Sequence, residues 1–375
     1  KIKTRNTDPR SRSPEYRSRC RNQRSRSPEY SAMKLLLLTT HAARCVQVGI
    51  PTVSTLPDGL NAYFFDHPEI NQTYNMTTNF KGIISYPVTP IDKVTGAVDL
   101  MAVRGLIDRL VERGSHGIAP LGSTGESAYL DDNEWDAVAE SSIKQVNKRL
   151  PVIVGISDLT TRNAVRKAKF AEAAGADAVM VLPVSYWKLS DDEIFLHYAT
   201  ISESIGVPLM VYNNPATSGV DMKPELIVKM VREISNATMV KESSGDIQRM
   251  HTLMQLSDGS IPFFNGSNPL ALEAFAAGAV GWCTAAPNLI PDWPKALYET
   301  CMSGDMDNAR KVFYTQLPIL RFILQGGLPT TIKAGLGLRG FEAGVPRAPL
   351  HALGEDGIKT LQAMIKAIDL KNFSD

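Results

Sequence analysis

Short apolar runs rich in β-branched residues alternate with longer amphipathic stretches from residue 82 to residue 302. The apolar runs predict strands at 82–88, 116–122, 151–156, 176–183, 208–213, 237–242, 262–266 and 280–284. The amphipathic stretches predict helices at 98–113, 131–148, 162–174, 191–204, 223–234, 246–256, 269–277 and 291–302. Strands as continuously apolar as Val152-Ile153-Val154 are typical of a parallel sheet with both faces covered by helices. Eight such units in succession favour an α/β fold of the (β/α)8 TIM-barrel type.

A doubly wound sheet is the competing architecture, but it usually has fewer units and a glycine-rich first turn. The first predicted strand is not followed by a GxGxxG sequence, and GxxxxGK[ST] does not occur in the chain. Nucleotide binding is therefore disfavoured. We place the barrel at 76–304. Beyond it, the pattern predicts additional C-terminal helices at 306–324, 329–338 and 352–369, so that 305–375 form a helical appendage.

The N-terminal 75 residues differ in composition from the rest of the chain. Residues 1–30 contain ten Lys and Arg against three Asp and Glu, whereas the whole chain carries a net charge of +1. The sequence RSRSPEY occurs at 10–16 and again at 24–30, and it predicts a disordered, low-complexity extension over 1–75. One interpretation is a tail that binds nucleic acid through phosphates. The favoured one is a non-native extension upstream of a start at Met76, so no nucleic-acid partner is expected.

Cysteine, histidine and hydropathy patterns bear on cofactors and location. The four cysteines show no CxxC spacing, which disfavours a disulfide framework or zinc site and favours a reducing, cytoplasmic compartment. The six histidines form neither HxH nor HExxH, so no metal is expected. No run of about 18 apolar residues occurs, so no membrane span is predicted.

A barrel of this kind carries its chemistry at the carboxyl ends of its strands, and the sixth predicted strand places Lys241 there. A lysine is rarely buried in an apolar strand, and a desolvated amine loses its proton more easily than one in water. The neutral amine can attack a ketone and form a Schiff base. The alternative is a structural lysine paired with Glu242 or another acid.

Two other strand ends offer groups that suit the same chemistry. Tyr212, at the end of the fifth strand, can transfer protons during imine formation or can simply be a core aromatic residue. Ser123 and Thr124 lie in a glycine-flanked turn that begins at Gly122. Such a turn can offer hydroxyl and N–H groups to a carboxylate, or can be a loop shaped only by its glycines. An amine, a phenol and small hydroxyls on three strands together favour an imine site.

Three motifs in this order, Gly122-Ser-Thr-Gly-Glu126, Tyr212-Asn-x-Pro215 and Lys241, resemble the dihydrodipicolinate synthase/N-acetylneuraminate lyase family of class I aldolases. The resemblance covers roughly residues 80–370. It implies a lyase that makes or breaks a carbon–carbon bond next to an imine of pyruvate or a related 2-oxo acid, with an aldehyde as second substrate. It also implies that no cofactor is needed and that the protein is a homotetramer built as a dimer of dimers.

The resemblance implies a role for each matching residue. Lys241 would form the Schiff base and Tyr212 would relay protons. Ser123 would hold the 2-oxo-acid carboxylate, and Thr124 would link the relay. Tyr186 lies where the family often has a tyrosine that completes the relay, sometimes across a subunit interface. Gly122, Gly266 and Thr217 are the remaining expected substrate-binding residues.

The sequence departs from the family pattern at two positions that concern the second substrate. Thr217 stands where dihydrodipicolinate synthases typically have an arginine for that substrate's carboxylate, and Asn268-Pro269 stand where sialic-acid lyases have an Asp-Glu pair. A neutral hydroxyl does not replace a bidentate guanidinium. A dihydrodipicolinate synthase-like condensation is the primary expectation. A 2-keto-3-deoxy sugar acid aldolase or dehydratase, and a catalytically silent barrel that binds a 2-oxo acid, are the alternatives.

Overall fold

Eight parallel strands form the centre of the computed structural model, which describes residues 80–371. The strands are β1 Gly82–Ser85, β2 Gly117–Ile118, β3 Ile153–Gly155, β4 Ala178–Val181, β5 Leu209–Asn213, β6 Ala237–Glu242, β7 Phe263–Asn265 and β8 Gly281–Thr284. They are ordered β2-β1-β8-β7-β6-β5-β4-β3, and a parallel bridge from Ile118 to Val152 joins the two ends. The predicted (β/α)8 barrel is confirmed.

The helices surround this barrel at nearly the predicted positions. They are α1 Leu100–Glu112, α2 Asp132–Val146, α3 Thr161–Ala174, α4 Asp191–Glu203, α5 Pro215–Ser218, α6 Pro224–Glu233, α7 Ile247–Ser257, α8 Ala271–Ala276, α9 Asp292–Met302, α10 Met306–Gln325, α11 Leu328–Leu338 and α12 Glu355–Asp369. The sequence patterns missed only the short α5, which begins at a proline after the Asn214 cap. None of the helices within 80–371 has the length and apolar composition that crossing a membrane requires.

Local capping explains where several helices begin and end. Asp131 and Glu134 form a reciprocal capping box at α2, in which the Asp131 carboxylate accepts from the Glu134 N–H at 2.8 Å. Gly175 ends α3 in the left-handed region, with φ of 99°. Glu126, which could have capped α2, instead lies five residues before that cap and is buried elsewhere.

The second predicted strand, 116–122, is longer than the observed β2 because its end leaves the extended conformation. Leu121 adopts a φ of 61°, a conformation that side chains rarely take outside turns. Gly155 packs so closely beneath this turn that a β-carbon there would lie 2.2 Å from the Leu121 carbonyl oxygen. The backbone therefore turns at the mouth of the barrel and does not continue along the sheet.

The C-terminal helices α10, α11 and α12 pack onto the barrel through one continuous apolar core. Leu320, Leu336 and Leu361, one from each helix, are fully buried in the same cluster as the strand residues. The division of the body into 76–304 and 305–375 stays a prediction. The disordered extension predicted for 1–75 lies outside the described residues.

Candidate active site

A cavity of about 940 Å³ opens among the loops that follow the barrel strands. The predicted site residues that line it are Gly122, Ser123, Thr124, Tyr212, Thr217, Lys241 and Gly266. Tyr212 and Lys241 lie near the ends of β5 and β6, the others lie in the segments after β2, β5 and β7, and closure of the barrel brings them all to one mouth. A cavity of this size with a few converging polar groups is typical of a small-molecule site.

Lys241 projects from β6 into the cavity between two aromatic rings. The side chain is 4% exposed, and its Nζ atom lies 3.9 Å from the ring centroids of both Tyr86 and Tyr212. Tyr212 is the direct register partner of Lys241 on the neighbouring strand. Ring faces attract a positive charge. The same geometry would therefore stabilise the cationic nitrogen of a protonated imine.

Glu242, the next residue along β6, turns away from the amine because successive strand residues point to opposite faces. Its fully buried carboxylate accepts from Asn213 Nδ2 at 3.1 Å and from the Ser244 N–H at 2.7 Å, and lies 3.4 Å from Arg249 Nε. No carboxylate within residues 80–371 forms an ion pair with Lys241. The structural alternative, a Lys241–Glu242 pair, is therefore wrong.

The two tyrosines differ in how their hydroxyls are held. Tyr212 Oη accepts from Asn214 Nδ2 at 2.8 Å, which leaves its own proton free to be donated. Tyr86 Oη instead donates to Met180 Sδ at 3.0 Å. Burial raises the pKa of Tyr86 well above its usual value, and the neighbouring Cys283 adds to this effect. Tyr212 is therefore the better placed of the two for proton transfer, while Tyr86 contributes its ring face.

The turn after β2 offers polar groups to an anion. Gly125 N–H donates to the Gly122 carbonyl at 3.0 Å, and Thr89 Oγ1 donates to the Gly125 carbonyl at 2.6 Å. The N–H groups of Ser123 and Thr124 have no acceptor within the described part of the chain. Successive free N–H groups in a tight turn form an anion-binding concavity, which suits the carboxylate of a 2-oxo acid.

A buried ion pair anchors the far side of this turn to the C-terminal helices. Glu126 Oε2 lies 2.5 Å from Lys333 Nζ of α11, and both side chains are about 1% exposed. Glu126 Oε1 also accepts from the Arg347 N–H at 2.6 Å. Burial lowers the pKa of Lys333, and the adjacent Glu126 carboxylate opposes that shift. The loop that carries Ser123 and Thr124 is thus fixed by residues far along the sequence.

Gly266 lies against the lysine stem and allows it to reach the cavity. A β-carbon at this position would lie 2.9 Å from Lys241 Cε and 1.6 Å from Ser243 Oγ. Ser243 Oγ is itself buried on the cavity wall and has no hydrogen-bond partner within residues 80–371. An unpartnered buried hydroxyl beside the amine is available to a bound substrate.

Ser243 and Tyr86 were not among the predicted site residues. Tyr86 directly follows β1, so its position at the carboxyl end of a strand could have indicated it from the sequence. Ser243 directly follows β6, two residues after Lys241.

Tyr186 is the one predicted site residue that the structure does not bring to the cavity. Its side chain is 88% exposed, and its ring packs edge-on against Trp187 at 5.7 Å. Within one chain it contacts no other member of the candidate site. Its predicted role across a subunit interface stays a prediction.

Cys283 lines the cavity but is chemically quiet. Burial raises the pKa of its thiol, although the Lys241 charge acts in the opposite direction. A buried thiol that stays protonated is a small apolar residue and not a nucleophile. Within residues 80–371 no group of three or more His, Cys, Asp or Glu side chains is placed to hold a metal ion.

The (β/α)8 barrel, with a buried amine and an adjacent phenol at its mouth, belongs to a lyase of the aldolase type. A dihydrodipicolinate synthetase family model matches residues 79–368. The chain belongs to this family, as the three motifs indicated, and is a dihydrodipicolinate synthase-like enzyme.

Individual relatives agree with this assignment. The 4-hydroxy-tetrahydrodipicolinate synthase of Methanopyrus kandleri is 32% identical over 295 residues, which are 79% of this chain and 98% of that protein. The crystal structure of a presumed dihydrodipicolinate synthetase from Pseudomonas aeruginosa is 58% identical, with a TM-score of 0.76 over 77% of this chain and 99% of that one. A dihydrodipicolinate synthase from Acinetobacter baumannii in complex with pyruvate is 27% identical, with a TM-score of 0.74 over 78% and 99% of the two chains.

Proposed function

We propose that this protein joins a pyruvate-type 2-oxo acid to an aldehyde through an imine on Lys241. The observation that carries the proposal is the buried Lys241 Nζ, which faces the cavity between two tyrosine rings and has no carboxylate partner within residues 80–371. The pyruvate bound by the Acinetobacter relative supports the choice of 2-oxo acid.

The reaction begins when the neutral Lys241 amine attacks the keto carbon of pyruvate. The carbinolamine loses water, and a protonated imine forms between the lysine nitrogen and that carbon. Tyr212 hands its proton to the departing hydroxyl and recovers one when the amine is regenerated. Thr124 connects Tyr212 with solvent in this relay, and Tyr186 of a neighbouring subunit completes it.

The imine then makes the adjacent methyl carbon nucleophilic. Loss of a proton from that carbon gives an enamine, whose electron pair attacks the aldehyde carbon and forms the new carbon–carbon bond. The aldehyde oxygen takes up a proton and becomes a hydroxyl. One water hydrolyses the imine, restores the Lys241 amine and releases a 4-hydroxy-2-oxo acid. Cleavage is the reverse sequence.

Several cavity groups fit this chemistry. The Ser123 side chain and the free N–H groups of the turn after β2 bind the pyruvate carboxylate. Gly122 and Gly266 keep the approach open, because a β-carbon at Gly122 would lie 2.8 Å from the Tyr86 ring. Thr217 lies on α5 at the cavity wall, where the second substrate enters.

Trapping of the imine tests the proposal. Incubation with pyruvate and sodium borohydride should add one reduced pyruvyl group to the protein, and peptide mass spectrometry should place it on Lys241. The Lys241→Arg variant keeps a cationic side chain but lacks an amine able to form this imine, and should show neither adduct nor turnover. A wild-type protein without the adduct would favour a catalytically silent barrel.

The quaternary state and location are parts of the same proposal. A cytoplasmic homotetramer built as a dimer of dimers would cover the exposed Tyr186 and Trp187 side chains. Sedimentation analysis of the wild type and of Tyr186→Ala, each at several concentrations, tests whether this surface contributes to assembly.

A further inference from the structure

Charge around the cavity distinguishes the kinds of aldehyde that it can accept. Six charged side chains line the cavity within the described residues: Glu126, Asp131, Asp132, Asp158, Lys167 and Lys241. Four of the six are acidic, and no arginine is among them.

Every charged lining group apart from Lys241 is already engaged by the protein. Lys167 Nζ lies 2.9 Å from Asp158 Oδ2, and both side chains are largely buried. Asp132 pairs with Arg166 at 3.1 Å. Asp131 accepts from the Glu134 N–H as the cap of α2, and Glu126 is the partner of Lys333. Among the described lining residues, Lys241 is then the only cation without an ionic partner, and its charge is lost when the protonated imine becomes the neutral enamine that meets the aldehyde.

A carboxylate on the second substrate would therefore find no counter-charge here. The 2-oxo acid already brings one negative charge to the turn after β2. A second carboxylate would lose its hydration beside acidic side chains without gaining an ionic partner, which is costly. A free cation would be the ordinary means of binding such a group, and the cavity supplies none within the described part of the chain.

Apolar side chains form a large part of the remaining lining, alongside uncharged polar ones such as Ser127 and Asn214. The apolar ones come from the loops after β2, β3 and β4, from α10 and α11, and from the segment between α11 and α12: Tyr129, Leu130, Leu159, Val184, Leu324, Leu328 and Leu350. Leu159 is 68% exposed although it borders the cavity, so apolar surface faces the entrance. A volume of about 940 Å³ leaves ample room for an apolar body beside a three-carbon acid.

We propose that the second substrate is an uncharged aldehyde with an apolar aliphatic or aromatic body, and not an aldehyde that carries a carboxylate. This inference rests on the proposed imine chemistry and adds the substrate class. Hydrophobic contacts with the wall would bind the apolar body, and rejection of the charged analogue would follow from its uncompensated desolvation.

Matched pairs of aldehydes test this inference on the wild-type protein with pyruvate. Butanal is compared with 4-oxobutanoate, and benzaldehyde with 4-carboxybenzaldehyde, by the rate of pyruvate consumption. We expect kcat/KM to favour the uncharged member of each pair by about tenfold or more. An equal or reversed preference would overturn the inference. A protein that consumes neither butanal nor benzaldehyde would also overturn it.

A variant pair adds a second readout. Thr217→Arg places a cation on the cavity wall and should shift the kcat/KM ratio about tenfold or more toward the carboxylated aldehydes. Thr360→Arg adds the same charge on the exposed face of α12, outside the cavity lining, and should leave the ratio unchanged. If Thr217→Arg and Thr360→Arg give the same kcat/KM ratio, the lack of a cation on the cavity wall does not determine the choice of aldehyde.

The outcomes separate this inference from the proposed function. Absence of the borohydride adduct at Lys241 overturns the imine chemistry itself. A normal adduct together with preference for carboxylated aldehydes overturns only the substrate class.

Discussion

Lys241 Nζ lies over the ring face of Tyr212, 3.9 Å from its centroid, because the two residues are register partners on β6 and β5. Neighbouring parallel strands therefore place the amine and the phenol at the same height in the barrel. The Asn214 amide orients the phenol by donating to its oxygen at 2.8 Å. This pairing is the structural basis for the expected proton transfer.

Replacement of Tyr212 by phenylalanine keeps the ring face and removes only the hydroxyl. We expect kcat to fall by about two to four orders of magnitude, the range typical of lost acid–base catalysis. Tyr86→Phe is the matched control, since its ring lies equally close to the amine while its hydroxyl donates to Met180. Its kcat should fall by less than about tenfold. Similar losses in both variants would contradict a specific role for the Tyr212 hydroxyl.

Gly266→Ala should displace the reactive lysine. The added β-carbon would lie 2.9 Å from Lys241 Cε and even closer to Ser243 Oγ, so the side chains must move. We expect the rate of borohydride trapping to fall by about a hundredfold or more, consistent with the cost of small misplacements in active sites. Gly337→Ala, with open space around its β-carbon on α11, should trap pyruvate at the wild-type rate.

Glu126→Gln breaks the buried ion pair with Lys333 and leaves a lysine without its counter-charge. Removal of one partner of such a pair typically costs about 3–5 kcal/mol, so the free energy of unfolding should fall by that order. Urea unfolding followed by circular dichroism measures it. The double variant Glu126→Gln/Lys333→Met should recover part of the loss, because no isolated charge remains. A double variant less stable than Glu126→Gln would argue against this explanation.

The two cysteines of the described region should resist alkylation in the folded protein. Burial raises the pKa of Cys301 to about 11 and also raises that of Cys283. At about pH 8 the thiolate fraction of Cys301 is then about a hundredfold or more below that of a free cysteine. Iodoacetamide labelling of a Cys20→Ser/Cys45→Ser variant, folded and in urea, measures the difference by mass spectrometry. Rapid labelling of folded Cys283 with loss of activity would contradict this prediction.

Stability should decrease as the pH falls below neutrality, partly because of His197. Burial lowers the pKa of this imidazole, and the Asp158 charge only partly opposes the shift. Below about pH 6.5 the unfolded chain therefore binds a proton that the folded ring resists, so unfolding is favoured as the pH falls. Urea unfolding at about pH 7.5 and pH 5.5 should show a smaller loss for His197→Gln than for the wild type. A loss in His197→Gln as large as that of the wild type would contradict this prediction.

The repeating elements were predictable from the sequence because their signals are local. Apolar runs with β-branched residues and amphipathic periods of 3.6 residues placed all eight strands and the barrel helices, and β6 was predicted at its observed bounds. Lys241 stood out for a similar reason, since a charged residue within an apolar strand is visible without any tertiary contact. The short β2 was overestimated because the left-handed turn at Leu121 leaves no trace in hydropathy.

Contacts between distant segments were decided only by tertiary structure. Tyr86 meets Lys241 because β1 and β6 both open at one end of the closed barrel, and Glu126 meets Lys333 because α11 packs over that mouth. The sequence by itself determined the order of strands and helices and the residue types at the strand ends, since these follow from local periodicity. Barrel closure decided which of those residues face one another, because that depends on how separate elements pack in three dimensions.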